Sequence, residues 1–338
     1  PTRRSSDLFA ELWREEGERP AWETLKGIAD DYVVGDDVVV PMGASFLTAA
    51  VDFQKDWLHV ELKAWGRGLE NWSLGMWRVE QFDGHGNPLQ TRDPLYQEWL
   101  AAFLHRDWPH ECGARIPILA MALDTGSMPD PVYDFARTQR RPFIGPYGAR
   151  VVGDCTVIPI KGHGGPEQHQ RLVVSVSKES AARKRAGINI VHVGGGYAKA
   201  EFYGNLQLRR LPDGRFPARY CHFSRQYADS VFQGLVAEER VTHASGMVEY
   251  VKIEPRNEPL DGHVYNRLAA ALVGVDHFSE AQWLALEAKS GITRTAEPST
   301  PTVLIAARPP VASPVAELRK PPPRADWLGE RGRGWFSR

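Results

Sequence analysis

The chain has 338 residues, enough to bury a full-sized core in one large domain or two modest ones. Its 25% charged and 42% hydrophobic residues are typical of a globular protein, and a net charge of −1 excludes a globally basic surface for nucleic acid. No stretch approaches the ~20 apolar residues of a membrane span, so we expect an intracellular protein with no membrane partner.

Three cysteines stand far apart, without the density of a disulfide framework, at Cys112, Cys155 and Cys221. This spacing favours a reducing cytosol. The segment HRDWPHEC places His105 and His110 near Cys112, which raises the possibility of zinc. Because no fourth ligand stands at a regular spacing, a loop with incidental His and Cys is the favoured interpretation.

The first strands are predicted after a polar segment with scattered tryptophans, residues 1–44, which we interpret as an N-terminal arm or linker. From Ser45 three β-type runs with short turns predict an antiparallel meander: SFLTAAVDF, WLHVELKAWG and NWSLGMWRVEQF. A helix is predicted at PLYQEWLAAFLH, where apolar residues recur at helical spacing.

The segment RIPILAMALD is a continuous apolar run that ends on a carboxylate, as expected of a strand buried on both faces. Further along, the patterns alternate. They predict helices at PVYDFARTQRR, YAKAEFYGNLQL and ADSVFQGLVAEER, strands at TVIPIK, LVVSVS and INIVHV, a hairpin at RVTHASGMVEYVKI that turns at Ser245 and Gly246, and a helix from Glu258 to about Leu272.

Residues 276–338 are predicted to form a C-terminal tail: one short helix at SEAQWLALEAK, then a Pro-, Ser- and Thr-rich linker and a basic, glycine-rich end, ERGRGWFSR. The residues between arm and tail, 45–275, are predicted to form one domain. A meander followed by alternating helices and strands predicts a mixed α/β fold with helices flanking a central sheet.

Three aspartates fall on core elements of this predicted domain. Asp52 lies near the end of the first strand, Asp124 ends the most apolar strand, and Asp261 lies on an apolar stripe of the last long helix. Buried carboxylates are costly unless their charge is compensated. Two divalent cations would compensate it and would support phosphodiester hydrolysis.

Each aspartate also has a purely structural interpretation. Asp52 and Asp56 flank a hairpin turn, where aspartate is common, and Asp124 could end its strand as a turn residue. Glu258 and Asp261 fall in the first turn of a helix, where the helix dipole favours acids. Taken singly, none of these residues establishes a site.

Two other patterns have competing interpretations. The tetrad Asp124-Thr125-Gly126-Ser127 is the local signature of aspartic proteases, but those enzymes need two such aspartates and this chain has one copy. A set of basic residues could grip DNA phosphates or could be a solvated face. The set comprises Arg137, Arg140, Arg141, Lys178, Arg183, Lys184 and Arg185.

Several separated blocks, taken in order, resemble the nuclease region of bacteriophage terminase large subunits of the lambda-like group, over roughly residues 40 to 275. The blocks are LTAAVDFQKDWLHVELKAWGRGLENW, ILAMALDTGS followed by VYDFAR, IPIKG, YAKAEFYGNLQL, CHFS through VFQGLVAEERVT, and RNEPLDGHVYNRLAA. The resemblance implies an RNase H-like (RuvC-type) fold with a site for two Mg²⁺ or Mn²⁺ ions.

The resemblance also implies roles for individual residues. The catalytic, metal-holding acids of such nucleases fall on Asp52, Asp124 and Asp261. Glu258 and Asp56 are candidates for supporting metal or water contacts. Lys161 in IPIKG is expected near the site, although a lone lysine is equally consistent with a surface charge.

The implied function is cleavage of concatemeric double-stranded DNA in the host cell cytoplasm, with a small terminase subunit and the portal protein of a procapsid as partners. No P-loop of the form G-x-x-x-x-G-K-[ST] occurs in the 338 residues, so we expect cleavage without ATP-driven translocation. The alternatives are a non-catalytic RNase H-like module that binds DNA or the portal, and a junction resolvase or transposase with the same metal chemistry.

Overall fold

The computed structural model describes residues 19–139, 142–143, 156–163, 171–178 and 188–293. The strands in these residues are β1 (Ala44–Phe53), β2 (Trp57–Gly66), β3 (Asn71–Glu80), β4 (Trp108–Pro109), β5 (Arg115–Ile116), β6 (Ile118–Asp124), β7 (Val157–His163), β8 (Val173–Lys178), β9 (Asn189–Gly194), β10 (Cys221–His222), β11 (Glu238–Thr242) and β12 (Val248–Lys252).

The helices are predominantly short and lie between or after the strands. They are α1 (Trp22–Gly27), α2 (Pro94–His105), α3 (Pro129–Thr138), α4 (Gly195–Asn205), α5 (Asp229–Leu235), α6 (Glu258–Val273) and α7 (Glu280–Lys289). In the part of the chain with described coordinates, each is too short or too polar to cross a membrane.

The central sheet has the strand order β10-β3-β2-β1-β6-β7-β9-β8. Strands β1, β2 and β3 form the predicted antiparallel meander, and β6, β7 and β9 continue from β1 in parallel. Strand β8 closes one edge antiparallel to β9, and β10 pairs in parallel with β3. The predicted mixed α/β fold, with a leading antiparallel meander and helices flanking a central sheet, is confirmed.

Alternation along β1 directs its side chains into two cores, because successive residues of a strand face opposite sides of the sheet. Leu47, Ala49 and Val51 pack with the apolar faces of α2 and α3. Phe46 and Ala50 pack on the other side with α6 and α7. The sheet is therefore the middle layer of three, and this is why β1 is buried along its whole length.

Local signals explain where several helices begin and end. The side chain of Asp93 accepts a hydrogen bond from Leu95 N at 3.0 Å and caps α2, which starts at a proline. Ser279 and Gln282 form a capping box at the start of α7. Helix α6 ends at Gly274, whose φ of 102° is the left-handed conformation that glycine adopts readily.

The prediction of a helix over ADSVFQGLVAEER was wrong in its second half. Helix α5 ends at Leu235, Val236 has non-helical angles of φ −120° and ψ 32°, and β11 begins at Glu238. Pairing with β12 outweighs the helix propensity of the two glutamates in this segment. The hairpin itself turns at Ser245 and Gly246 as predicted, with φ 78° at the glycine.

The described parts of the predicted arm and tail pack onto the domain. In the arm, Leu25, Val38 and Val40 are buried. In the tail, Trp283 and Leu286 of α7 are buried in the same cluster as α6. The Pro-rich linker and the basic end, residues 294–338, lie outside the described residues.

Candidate active site

Two of the three predicted acids lie side by side at the carboxyl ends of neighbouring parallel strands. Val51 of β1 is in register with Leu123 of β6, so the next residues, Asp52 and Asp124, follow at the same edge of the sheet. Alternation places both on the face covered by α6. Adjacent parallel strands thus place two carboxylates next to each other.

The third predicted acid comes from the helix that covers this face. Asp261 lies in the first turn of α6, which packs on β1, β2 and β6. The structure therefore brings together the three aspartates that the sequence analysis singled out. We call Asp52, Asp124 and Asp261 the acidic cluster.

Burial and mutual repulsion raise the pKa of every member of the acidic cluster. Burial, and after it the charge of Asp124, raise the pKa of Asp52 to about 6. The pKa of Asp124 is likewise raised to about 6 by burial and by Asp261, and that of Asp261 by burial and then by Glu238 and Asp52. Nearby lysines lower these pKa values, but not enough to offset burial and the neighbouring acids.

Hydrogen bonds fix the orientation of each carboxylate. Gln54 Nε2 donates to Asp52 Oδ2 at 2.6 Å, and Gly126 N donates to Asp124 Oδ1 at 3.1 Å. Asn257 Nδ2 donates to Asp261 Oδ2 at 2.8 Å. These bonds hold the acids in place while compensating only a small part of their charge.

The donor set fits hard divalent cations, because carboxylate oxygens are the ligands that Mg²⁺ and Mn²⁺ prefer. The excess negative charge of a cluster with one buried and two half-buried acids is a second reason for the fit. Within the described residues, no group of three His, Cys, Asp or Glu side chains is preformed to hold a single ion.

A second, charge-balanced group borders Asp261 and was missed by the sequence analysis. Lys199 Nζ lies 2.7 Å from both carboxylate oxygens of Glu238 and 3.6 Å from Asp261 Oδ1. Asn257 Nδ2 also donates to Glu238 Oε1 at 3.0 Å. The sequence analysis placed Glu238 inside a helix and did not identify it as a candidate site residue. No motif or spacing in the sequence links it to Lys199.

A cleft of about 390 Å³ opens beside this group. Tyr265 forms part of the wall of this cleft, and its phenol is buried beside the acids. Burial, and to a smaller extent the charges of these acids, raise the pKa of the phenol well above the usual range. Its hydroxyl is therefore held protonated. The lining includes Gly162, His163, Gly195, Lys199, Glu238, Met247, Tyr250, Asp261 and Tyr265.

The supporting residues named from the resemblance occupy different positions. The charge of Glu258, at the start of α6, contributes to the raised pKa of Asp52, and the charge of Lys161 on β7 lowers that of Asp124. Both lie close enough to act on the cluster. Asp56 lies in the turn between β1 and β2, where its carbonyl accepts a bond from Tyr96 at 2.5 Å.

Two residues of the proposed basic surface, Arg137 and Lys178, lie within the described residues. Arg137 on α3 forms an ion pair with Asp134, and Lys178 ends β8. The remaining candidates, Arg140, Arg141, Arg183, Lys184 and Arg185, lie outside the described residues. A DNA-binding role for this set stays a prediction.

The alternative zinc site does not form. His110 Nδ1 lies 3.0 Å from Cys112 Sγ, whereas His105 bonds to Gln139 at 3.0 Å. The two histidines thus have separate local partners. This arrangement agrees with the favoured interpretation of an ordinary loop.

The sheet places two carboxylates at the carboxyl ends of neighbouring strands, and the covering helix adds a third; carboxylates gathered in this way are the donor set that metal-dependent nucleases use. The family pattern described as terminase large subunit gpA, endonuclease domain, matches residues 5–283. The chain therefore belongs to the endonuclease-domain family of terminase large subunits. The resemblance drawn from the sequence blocks is confirmed.

The remaining comparisons add a distant likeness. Among solved structures, the chain is similar to a mutant nuclease domain of the large terminase subunit gp2 of bacterial virus Sf6 with manganese. The TM-score is 0.37 and the identity 10%, and the match covers 70% of this chain and 90% of that chain. No curated protein matches. The family assignment thus rests on the sequence match.

Proposed function

We propose that this chain is a divalent-metal-dependent endonuclease that cuts concatemeric double-stranded DNA while a phage genome is packaged. The observation that carries the proposal is the acidic cluster: one buried and two half-buried carboxylates from three elements, each with its pKa raised to about 6. Membership of the terminase endonuclease family supports DNA as the substrate.

In this proposal Asp52, Asp124 and Asp261 hold two Mg²⁺ or Mn²⁺ ions. Such ions, when bound, activate a water for attack on phosphorus and stabilise the departing oxygen. The protein supplies the oxygen ligands and their orientation through Gln54 and Asn257. Tyr265 remains protonated, so its hydroxyl is available as a hydrogen-bond donor at the wall of the cleft.

We also propose the cellular location and the protein partners of the reaction, on the basis of the family. We place it in the host cell cytoplasm, with the small terminase subunit and the portal protein of the procapsid as partners. Cutting specificity is not expected to reside in this chain, because no base-reading motif was found in its sequence.

The test is incubation of the purified chain with supercoiled plasmid in Mg²⁺, Mn²⁺ or EDTA. We expect metal-dependent nicking that Asp124→Ala abolishes. The matched control is Asp213→Asn, an exposed aspartate paired with Arg215 on a loop, which should cut like the wild type. Cleavage that persists in EDTA, or in Asp124→Ala, would contradict the proposal.

A well-folded chain that binds DNA but never cuts would instead favour the non-catalytic binding module. Branched DNA separates the other alternative. A junction resolvase would prefer a four-way junction over linear duplex, whereas a packaging nuclease would cut the duplex at least as well.

A further inference from the structure

A fully buried layer of polar side chains separates the sheet from α6, next to the acidic cluster. We call Thr48, Glu61, Lys63, Ser73 and Asn266 the buried polar network; each has a relative exposure of 0%. Burying an ion pair costs several kcal/mol, roughly, before its partners repay the cost, and apolar side chains of similar volume often pack as well. Such a layer needs an explanation other than stability.

The amide of Asn266 joins α6 to two strands in one defined orientation. Trp65 Nε1 donates to Thr48 Oγ1 at 2.8 Å, so the hydroxyl proton of Thr48 is directed to Asn266 Oδ1, at 2.7 Å. Asn266 Nδ2 then donates to Glu61 Oε2 at 3.1 Å. Because a hydroxyl has one proton and an amide has distinct ends, this chain of bonds admits one arrangement.

The acceptor on β2 is itself held firmly. Lys63 Nζ lies 3.2 Å from Glu61 Oε1, and Ser73 Oγ donates to the same oxygen at 3.1 Å. Lys63 also lies 5.4 Å from the ring centre of Phe223. Glu61 is therefore a fixed point on the sheet.

Helix α6 approaches this fixed point closely at Gly262. A Cβ at that position would lie 2.9 Å from Glu61 Oε2 and 3.4 Å from His59 Nε2. Gly262 and Asn266 are one helical turn apart and share a face of α6. Since Asp261 precedes Gly262, the contact with Glu61 determines how deeply the first turn of α6 is seated.

We propose that Asn266 is a positioning residue, which holds Asp261 at the correct distance from Asp52 by tying α6 to β1 and β2. Thr48, its partner on β1, lies on the same face of that strand as Asp52. The inference rests on the proposed function, because it assumes that the acidic cluster holds metal ions. Partners behind a metal ligand commonly determine how well the ligand binds.

The test compares Mn²⁺ affinity, measured by titration calorimetry on the full chain, with plasmid cleavage and melting temperature. Asn266→Leu keeps the side-chain volume and removes both hydrogen bonds. We expect Mn²⁺ affinity to fall by about 10- to 100-fold and cleavage to fall with it. The milder Thr48→Val should weaken binding less, and should decide the question if Asn266→Leu does not fold.

The matched control is Asn71→Leu, a buried asparagine of β3 whose side chain bonds instead to the carbonyls of Leu69 and Tyr220. It should lower the melting temperature and leave Mn²⁺ affinity unchanged. Folded Asn266→Leu and Thr48→Val proteins with wild-type Mn²⁺ affinity and cleavage would overturn the positioning role alone. A wild-type chain that neither binds Mn²⁺ nor cuts would overturn the proposed function, and this inference with it.

Discussion

Helix α6 carries two groups of charged side chains that solve the problem of burial in opposite ways. Near its middle, buried Arg267 donates to Glu201 at 2.5 Å and to Asp276 at 2.6 Å, so its charge has two partners. Burial disfavours the charge of Arg267, but the two carboxylates raise its pKa overall. At the start of the helix, Asp261 faces two more acids and one shared lysine.

The difference separates structural charges from functional ones. A balanced cluster such as Arg267 with Glu201 and Asp276 is complete and needs no ligand. The acidic cluster has no such balance, and burial and the neighbouring acids raise the pKa of each member. In the proposed function, bound metal ions would supply the balancing charge. The two groups therefore predict opposite responses to substitution.

The largest effect is expected from Asp52→Asn, which should abolish metal-dependent cleavage. The same change should stabilise the metal-free protein at pH 7 by about 1–3 kcal/mol. The sign follows because a carboxyl whose pKa is higher when folded destabilises the folded state above its ordinary pKa. Plasmid nicking and urea unfolding in EDTA measure the two effects. An Asp52→Asn protein that still cuts DNA, or that is less stable than the wild type, would contradict the functional role of the acidic cluster.

Arg267→Met should have the opposite character. It removes the buried guanidinium that binds Glu201 and Asp276. Because Glu201 keeps its ion pair with Arg219 at 2.8 Å and Asp276 is exposed, we expect the free energy of unfolding to fall by about 1–3 kcal/mol. The control is Arg225→Met, an exposed arginine paired with Asp31, which should change it by less than about 0.5 kcal/mol. Urea unfolding distinguishes them; equal losses for both would show that the Arg267 cluster is not special.

Gly262→Ala should perturb the acidic cluster without changing its charge. The added methyl collides with Glu61, which is held by Lys63 and Ser73, so we expect a loss of about 1–3 kcal/mol and slower cleavage. Gly204→Ala on α4 is the control, because its Cβ meets nothing within 4 Å. That variant should be neutral or slightly more stable. Full activity in Gly262→Ala would show that the seating of α6 is not critical.

The smallest effect concerns His222 on β10, the edge strand beside β3, where two acids balance its charge. Burial lowers the pKa of His222, but hydrogen bonds to Asp30 at 2.6 Å and Glu70 at 2.9 Å raise it overall. A raised histidine pKa stabilises the fold below about pH 6.5, and this contribution is lost as pH rises through the folded-state pKa. Asp30→Asn should therefore cost about 1 kcal/mol near pH 5 and less near pH 8, in urea unfolding. A cost independent of pH would contradict this.

Much of the fold followed from local pattern. The turns between β1, β2 and β3 and the continuous apolar run of β6 predicted the meander and the buried strand. The acids Asp52, Asp124 and Asp261 were identified because each ends or begins a core element. Periodicity and the ends of elements are properties of short segments, so they are visible in the sequence.

Other features depend on contacts between distant segments. Glu238 was placed in a helix, because its pairing with Lys252 across the hairpin has no local signature. Glu61 and Lys63 alternate with apolar residues on β2 and would ordinarily face water; they are buried because α6 and the segment around Phe223 cover them. The environment of these residues is a consequence of tertiary packing and could not be deduced from β2 alone.

The central claim is that the acidic cluster is incomplete without cations. Its most direct test is Mn²⁺ titration calorimetry of the 338-residue chain beside Asp124→Ala. The account predicts saturable binding of about two ions per chain in the wild type, and its loss in the variant. Absence of binding in the wild type, or equal binding in both proteins, would contradict it.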